Sequence, residues 1–222
     1  MTPCRLHITG ASGTGTTTLG RRLATQWAVP HADSDDYFWV PTSPPYTTKR
    51  EEGARIRLMR EVFVGRDAWV LSGSLMGWGD PLTESFDAVV FLSVDHDVRM
   101  SRLHAREVTR YGSRIEPGGM HESAHRDFMD WASGYEDPTT DGRNRAQHEA
   151  WLATLTCPVL RLDSTRGVDE LVAEIAGWRP PSPRRSQTSS RSSSSSGTGC
   201  DCSQTSAGLA SSLSPMGSSG RL

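Results

Sequence analysis

Lysine is almost absent from this sequence of 222 residues, in which Lys49 is the only one. The other cationic residues are arginines, and the total of 24 lysines and arginines nearly balances 26 aspartates and glutamates, for a formal net charge of −2. A chain without an excess of positive charge gives no indication of a nucleic-acid or anionic-membrane partner. We therefore expect neither nucleic acid nor a membrane among its partners.

Cysteine and long apolar segments are also scarce. Cys4, Cys157, Cys200 and Cys202 are too few for a disulfide framework and lack the paired spacing of a zinc site. The longest apolar run, 88–92, is far too short to cross a bilayer, and no signal-peptide pattern precedes the first apolar segment. These features predict a soluble, cytoplasmic protein.

A glycine-rich segment follows the first predicted strand and precedes a helical pattern at 17–27. Gly10 and Gly15 have the spacing of the phosphate-binding loop Gly-x-x-x-x-Gly-Lys-[Ser/Thr], with Thr16 in place of the lysine. Glycines allow positive φ, and the backbone N–H groups of such a loop attract anions. We expect the phosphates of ATP to be held by Gly10, Ala11, Ser12, Gly13, Thr14, Gly15, Thr16 and Thr17. A glycine-rich turn that binds nothing is the alternative.

Five short apolar segments alternate with helical patterns between residues 4 and 179. Such alternation is typical of right-handed crossovers and of a parallel sheet that is buried on both faces. We predict an α/β fold with three layers around a five-stranded parallel sheet, in one domain at 1–179. Proline, arginine, serine and glycine dominate from residue 180 onward, which predicts a disordered tail at 180–222.

Three carboxylates crowd the end of the second predicted strand, at 29–36. In an extended chain Asp33 and Asp35 share one face, from which Asp36 is turned away. Ligands of open parallel sheets bind outside the carboxyl ends of the strands. Thr17 and Asp33 are therefore candidate ligands of Mg²⁺, and Asp33 or Asp35 is a candidate base for an attacking hydroxyl. An acidic turn that only caps the next helix is the alternative.

Arginines are concentrated in a predicted helix at 96–111. Arg99, Arg102, Arg106 and Arg110 follow one another at spacings of three, four and four, along one side of the helix. Like charges at these spacings repel each other, so an anionic partner explains them better than helix stability does. An exposed stripe without a ligand is the alternative.

Glycines and prolines at 112–119 interrupt the chain after that helix and predict a mobile flap. Arg106, Arg110 and Arg114 on this flap are candidates to neutralise the charge of a transferred phosphoryl group. Arg143 or Arg145 could reach the phosphates from the far side of the flap, and we assign Arg145 to the nucleotide.

Residues 121–125 match the zinc-binding pattern His-Glu-x-x-His. A third ligand is not evident, and the pattern lies inside the arrangement of a phosphate-loop protein. We therefore do not interpret it as a zinc site.

The glycine loop, the acidic second strand, the flap arginines and the alternating strands resemble the P-loop proteins that include nucleoside-monophosphate, shikimate and gluconate kinases. The chain is similar to small bacterial proteins described as adenylate-kinase-like or as AAA-type ATPases, and archaeal-type cytidylate kinases carry a similar loop without lysine. Asp33 and Asp35 are similar to the Asp-x-Asp pair with which shikimate-type kinases hold Mg²⁺ and the acceptor hydroxyl. The Asp-Gly-Phe-Pro-Arg motif of adenylate kinases is absent after the third strand, where 72–75 is Ser-Gly-Ser-Leu.

This resemblance implies an ATP- and Mg²⁺-dependent phosphotransferase whose acceptor is a nucleoside monophosphate or a small hydroxylated metabolite. Nucleoside-monophosphate kinases hold the acceptor with a basic helix after the second strand. Here a helix predicted at 47–66 would carry Lys49, Arg50, Arg55 and Arg57. A nucleotide-binding regulatory protein, in which Thr16 marks lost catalysis, is the alternative, and a slow ATPase without an acceptor is another.

Overall fold

A five-stranded parallel sheet forms the centre of the structure, a computed structural model that describes residues 1–43, 45–140 and 142–180. The strands are β1 (Arg5–Gly10), β2 (His31–Asp33), β3 (Trp69–Ser72), β4 (Ala88–Ser93) and β5 (Val159–Asp163). They lie in the order β2-β3-β1-β4-β5, and each neighbouring pair is parallel. The predicted five-stranded parallel sheet is confirmed.

Seven α-helices connect and follow these strands in the described part of the chain. They are α1 (Thr16–Trp27), α2 (Ser34–Phe38), α3 (Glu52–Met59), α4 (His96–Tyr111), α5 (Glu122–Ser133), α6 (Arg145–Thr154) and α7 (Val168–Gly177). A π-helical turn at Arg60–Val64 continues α3, and short 3₁₀ segments lie at Asp80–Ser85, Gly112–Ile115 and Gly134–Glu136. The predicted helix after the glycine loop is confirmed as α1, and the predicted arginine-rich helix is confirmed as α4.

Apolar side chains cover both faces of the sheet and make the three predicted layers. On one face Leu23 of α1 and Ile175 of α7 pack in a cluster with Val90 of β4. On the other face Met59 of α3 packs in a cluster with Val89, the neighbouring residue of β4. Successive residues of a strand point to opposite faces, so a strand covered on both sides is apolar throughout. The sequence of β4 is continuously apolar because both of its faces are covered.

Strand β2 is shorter than predicted and ends at Asp33 rather than at Asp36. The Asp33 carboxylate accepts a hydrogen bond from the Asp35 N–H at 3.1 Å and so caps α2. An N-cap aspartate ends an extended segment because its side chain satisfies a free N–H of the first helical turn. The prediction that Asp33 and Asp35 share one face of a strand is therefore wrong, and Asp33 caps the next helix.

The helix predicted at 47–66 begins later than expected. The Glu51 carboxylate accepts hydrogen bonds from two N–H groups of the first turn of α3, at 2.8 and 2.7 Å, and caps the helix there. Upstream, the Val40 N–H donates to the Thr48 carbonyl at 2.9 Å, which closes residues 38–50 into a hairpin loop. Lys49 and Arg50 therefore belong to this hairpin loop and not to a helix.

No helix in the described residues is both long and apolar enough to cross a membrane. The tail predicted at 180–222 lies outside the described residues except for residue 180, and so do Cys200 and Cys202.

Two buried histidines, His7 within β1 and His148 of α6, contribute to the core around this strand. Thr9 Oγ1 is 3.1 Å from His148 Nε2, and Tyr135 Oη is 3.0 Å from His148 Nδ1, so one imidazole joins β1 to the segment after α5. Burial, followed by the charge of Arg143, lowers the pKa of His148 to about 3. Burial lowers the pKa of His7 to about 4, against the opposing hydrogen bond of its ring with the Leu71 carbonyl. Both histidines are neutral in the folded protein near pH 7.

We predict that acid destabilises the fold through these histidines. The unfolded chain, with a histidine pKa of about 6.5, binds protons before the folded chain does as the pH falls. Between about pH 6.5 and 4, the free energy of unfolding should therefore decrease with falling pH, by up to about 1.4 kcal/mol per pH unit for each histidine. Urea unfolding at several pH values between 7 and 5 measures this slope.

The variant His148→Gln should be less stable at pH 7 but should lose about half of the slope in that window, since one of two histidines is removed. His104→Gln, which changes an exposed histidine of α4, is the matched control and should keep the full slope. An unchanged slope in His148→Gln would contradict the prediction.

Candidate functional site

The glycine loop at 10–17 turns sharply between β1 and α1. Gly13 and Gly15 have φ values of 92° and 89°, which residues with a side chain rarely adopt. A Cβ at Gly10 would lie 2.5 Å from the carbonyl oxygen of Leu92 in β4. The glycines are therefore needed both for the turn and for the close contact of the loop with the sheet.

The N-terminus of α1 is open where this loop ends. Gly15 is its N-cap residue, and no side chain in the described residues caps the helix. A Cβ at Gly15 would meet nothing within 4 Å. Uncapped N–H groups of a first helical turn and the helix dipole favour an anion. The geometry of the loop fits a phosphate group at this point.

A hydroxyl and a carboxylate meet next to this helix end. Thr17 Oγ1 donates a hydrogen bond to Asp33 Oδ2 at 2.6 Å, and Ser72 Oγ donates to the same oxygen at 3.2 Å. His31 Nε2 lies 2.9 Å from Ser72 Oγ and completes the contact between β2 and β3. Hydroxyl and carboxylate oxygens are the ligands that Mg²⁺ prefers, and it binds through few protein groups together with phosphate oxygens. Thr17 and Asp33, predicted as its ligands, are thus brought together.

Asp35 lies at the start of α2, where it is exposed beside Asp33. Its surroundings raise its pKa, with desolvation by the protein as the largest cause and the charge of Asp33 as the second. Arg143 and Arg106 act in the opposite direction. A carboxylate with a raised pKa is a stronger base, and Arg106 of α4 and Arg143 before α6 lie within electrostatic range of this one.

Two arginines approach the glycine loop at Ser12. Arg143 Nη2 donates to Ser12 Oγ at 3.0 Å, and Arg99 Nη1 donates to the Ser12 carbonyl at 3.4 Å and to the Ala132 carbonyl at 2.9 Å. Arg99 is only 1% exposed, and burial lowers the pKa of both guanidinium groups. Arg145, which the sequence analysis assigned to the nucleotide, is exposed and forms an ion pair of 3.0 Å with Glu136.

The remaining arginines of α4 make contacts of several kinds. Arg102 Nη2 donates to the Ser164 carbonyl at 2.9 Å and so holds α4 to the segment after β5. Arg106 forms an ion pair of 3.2 Å with Glu107, its neighbour in α4. The four side chains therefore do not form one continuous anion-binding surface.

The predicted flap begins in the last turn of α4 and continues through Gly112–Ile115 into α5. The Arg110 guanidinium lies over the ring of Tyr46, 5.4 Å from its centroid, so the end of α4 contacts the hairpin loop 38–50. Arg114 is exposed in the following 3₁₀ turn. Arg110 and Arg114 thus lie on the side of the fold where the hairpin loop meets the flap.

Three of the four basic residues predicted to grip an acceptor contact protein groups, and one of them, Arg57, pairs with Glu51 at 3.9 Å. Arg50 donates to the carbonyls of Tyr37 and Trp39 at 2.9 and 3.2 Å. Arg55 is 8% exposed and lies over the ring of Phe38, 3.9 Å from its centroid. The contacts of Arg50 and Arg55 hold the hairpin loop against α3, and they are tertiary contacts that spacing along a helix could not indicate.

The His-Glu-x-x-His pattern lies at the start of α5. The Glu122 carboxylate accepts a hydrogen bond from the Gly118 N–H at 2.7 Å and pairs with Arg126 at 3.7 Å. Within the described ranges, no three side chains of histidine, cysteine, aspartate or glutamate are grouped so that they could hold a metal ion. The pattern therefore serves the turn before α5 in this structure.

Comparison with known proteins gives one strong match in sequence. The chain is 41% identical over 170 residues to "Uncharacterized protein YqaC" of Bacillus subtilis (strain 168), and the match covers 77% of this chain and 94% of that protein. No protein-family model matches the chain.

Solved structures with a similar fold include two kinases. A shikimate kinase from Bacteroides thetaiotaomicron has a TM-score of 0.48 at 19% identity, over 78% of this chain and 97% of that one. A gluconokinase from Sinorhizobium meliloti 1021 has a TM-score of 0.43 at 19% identity, over 78% of this chain and 89% of that one.

Two glycines of the loop should respond differently to the same substitution. Gly15→Ala should reduce the free energy of unfolding by about 1 kcal/mol, because only the positive φ is unfavourable. Gly13→Ala should reduce it by about 2–4 kcal/mol. Its Cβ would also lie 2.8 Å from the Arg99 carbonyl oxygen and 2.9 Å from Leu103 Cγ. Urea unfolding of both variants measures the difference.

Gly177→Ala in α7 is the matched control, because its φ is not positive and its Cβ would meet nothing within 4 Å. It should be neutral or slightly stabilising. Equal losses in Gly13→Ala and Gly15→Ala would show that the loop does not pack against α4 as described.

Proposed function

The chain belongs to the family of the Bacillus subtilis protein YqaC, and we propose that it is a kinase because it carries a phosphate-type loop beside two aspartates. It transfers the γ-phosphoryl group of ATP to a small hydroxylated metabolite. The observation that carries the proposal is the 2.6 Å hydrogen bond between Thr17 and Asp33. This bond joins the end of the open phosphate loop to Asp33. The candidate base, Asp35, follows Asp33 at the same edge of the sheet.

The nucleotide would be held mainly by the backbone. N–H groups of residues 11–17 and the uncapped N-terminus of α1 would bind the phosphates, which fits the glycines at 10, 13 and 15. Thr17 and Asp33 would hold Mg²⁺, directly or through water, and the ion would neutralise charge on the β- and γ-phosphates. The hydroxyls of Thr17 and Ser72 donate hydrogen bonds to the Asp33 carboxylate and hold it in position for this role.

Asp35 would act as the base for the acceptor. The acceptor oxygen forms a bond to the γ-phosphorus while the bond from this phosphorus to the β,γ-bridging oxygen breaks, ADP leaves, and the hydroxyl proton passes to Asp35. The raised pKa of Asp35 supports this role because a stronger base takes the proton more readily. Arg106, Arg110 and Arg114 would neutralise charge on the transferred group when the flap closes.

A hydroxylated metabolite fits the site better than a nucleoside monophosphate does. The phosphate of a monophosphate acceptor needs free cationic side chains, and Arg50 and Arg55 are engaged with backbone carbonyls and an aromatic ring. Asp33 and Asp35 instead offer acceptor oxygens for hydroxyl groups. Nucleoside monophosphates remain the second acceptor class to test.

A nucleotide-binding protein without transfer activity is the second candidate function. It is favoured by Thr16, since the lysine that normally contacts the β- and γ-phosphates is missing from the loop. Acceptor dependence distinguishes it from a kinase.

The test is ADP release from Mg-ATP by the full chain, with sugars, sugar acids, other hydroxylated metabolites and nucleoside monophosphates added one at a time. We expect one hydroxylated class to raise the rate at least about 10-fold. Asp35→Asn should lower that rate by about 10²–10⁴-fold, the usual contribution of a general base, with little change in ATP affinity. The rate of the unaltered protein should rise with pH through the pKa of Asp35, which lies above the ordinary value of an aspartate.

Asp36→Asn is the matched control, since Asp36 is the exposed neighbour of Asp35 and has no assigned role. This variant should keep the acceptor-dependent rate. If ATP binds and no acceptor of the panel raises the rate, the kinase proposal fails in favour of the binding protein. Full activity in Asp35→Asn would exclude Asp35 as the base.

The hydroxyl of Thr17 should contribute to ATP affinity only when Mg²⁺ is present. Thr17→Val keeps the shape of the side chain and removes the hydroxyl, so Mg-ATP should bind about 10-fold more weakly, whereas ATP with a chelator should bind as before. Calorimetric titration with and without Mg²⁺ measures both affinities. Thr18→Val, a change at the next, exposed position, should leave both unchanged. A loss of equal size without Mg²⁺ would contradict the assignment.

A further inference from the structure

The position of Arg143 suggests how the loop can function without its lysine. We propose that the Arg143 guanidinium supplies, from the segment before α6, the positive charge for the γ-phosphate that Thr16 does not provide. The inference rests on the proposed binding of ATP by the glycine loop. It names a residue that replaces an element of the loop itself, whereas Arg106, Arg110 and Arg114 were assigned to the transferred phosphoryl group.

The first support is the contact between Arg143 and the loop. Arg143 Nη2 donates to Ser12 Oγ at 3.0 Å, and its guanidinium lies 5.4 Å from the ring centroid of Trp131. Its Nε is buried and has no hydrogen-bond partner in the described residues. A buried N–H group without a partner is unfavourable, so a phosphate oxygen that reached it would stabilise the protein.

The second support is Arg99, which also contacts Ser12. Its Nε and Nη2 are likewise buried without partners in the part of the chain that the structure describes, although two carbonyls accept from its Nη1. Arg99 also contributes to the lowered pKa of Arg143, after burial as the main cause. Two positive charges close to each other and to an anion-binding loop favour an anionic ligand between or beside them.

The third support is the way in which the chain holds Arg143. Its neighbour Asn144 is 1% exposed, caps α6 by accepting from the Gln147 N–H at 2.9 Å, and donates to the Pro138 and Thr140 carbonyls at 3.3 Å. These bonds fix the backbone on one side of Arg143. Arg145, two residues later, is exposed and paired with Glu136, so it is less suited to this role.

Arginine differs from lysine in how it can bind phosphate. Its planar guanidinium presents five N–H donors and can bind two oxygens at once, whereas a lysine ammonium acts as a point charge on a flexible chain. A guanidinium that is held in place and contacts the loop from another segment can therefore replace the positive charge of the loop lysine. The expected signature is a preference for ATP over ADP that depends on Arg143.

The experiment compares the affinities of the full chain for Mg-ATP and Mg-ADP by calorimetric titration. Arg143→Met keeps much of the side-chain volume and removes the charge. It should weaken ATP binding by about 10- to 100-fold and ADP binding by no more than about 5-fold, since charge-assisted hydrogen bonds to the terminal phosphate are lost. Arg143→Lys should retain most of the ATP affinity.

Relocating the charge tests the inference most directly. Thr16→Lys added to Arg143→Met restores a cation at the usual loop position and should return the ATP affinity to within about 5-fold of the unaltered protein. Arg22→Met is the matched control, since Arg22 is exposed on α1 and paired with Asp169 at 2.9 Å. It should bind both nucleotides as the unaltered protein does.

Far-UV circular dichroism and thermal unfolding show whether each variant is folded. If Arg143→Met does not fold, Ser12→Ala gives the same readout, because it removes the anchor of the guanidinium and should reduce the ATP preference about 3- to 10-fold. Unchanged ATP affinity in the folded variant, equal losses for ATP and ADP, or no recovery with Thr16→Lys would each overturn the inference. If the ATP preference depends on Arg143 and no acceptor is phosphorylated, the kinase proposal fails and this inference stands.

Discussion

The close packing of the glycine loop against β4 and α4 is the constraint on which the rest of the site depends. Gly10 lies against the Leu92 carbonyl, and Gly13 lies against the Arg99 carbonyl, at distances that leave no room for a side chain. This packing directs the N-terminus of α1 to the carboxyl edge of the sheet, where Thr17 meets Asp33. A loop that lay farther from the sheet would separate the open helix end from the carboxylates.

The electrostatics of the site follow from this packing. A glycine loop that lacks lysine has only backbone dipoles and the end of α1 to attract phosphate. The described structure adds charge from two other elements, Arg99 on α4 and Arg143 before α6, both of which contact Ser12. Burying a guanidinium is unfavourable unless its N–H groups are satisfied, and three of these groups are not satisfied by described protein atoms. An anionic ligand at the loop would offset that desolvation.

Much of the fold could be predicted from the sequence because its strands are apolar and its longest helices have clear patterns. The errors lie at 29–36 and 47–66, where the carboxylates of Asp33 and Glu51 cap helices and so decide where extended chain ends. The helix that carries the arginines was predicted with the right bounds. The partners of Arg99 and Arg102, however, are backbone carbonyls from distant segments, which no local pattern encodes. Asn144, the N-cap of α6, was the available signal that Arg145 begins that helix while Arg143 lies in the segment before it.

The position of Asp35 connects the two halves of the proposed reaction. Arg143 is the largest of the influences that lower the pKa of Asp35, and on the proposed assignment the same guanidinium pairs with the phosphates of ATP. Arg143 would therefore act both on the candidate base and on the phosphates, and Mg²⁺ held at Asp33 would add its own positive charge beside Asp35. A loop lysine at position 16 and a separate base would not be linked through one residue in this way.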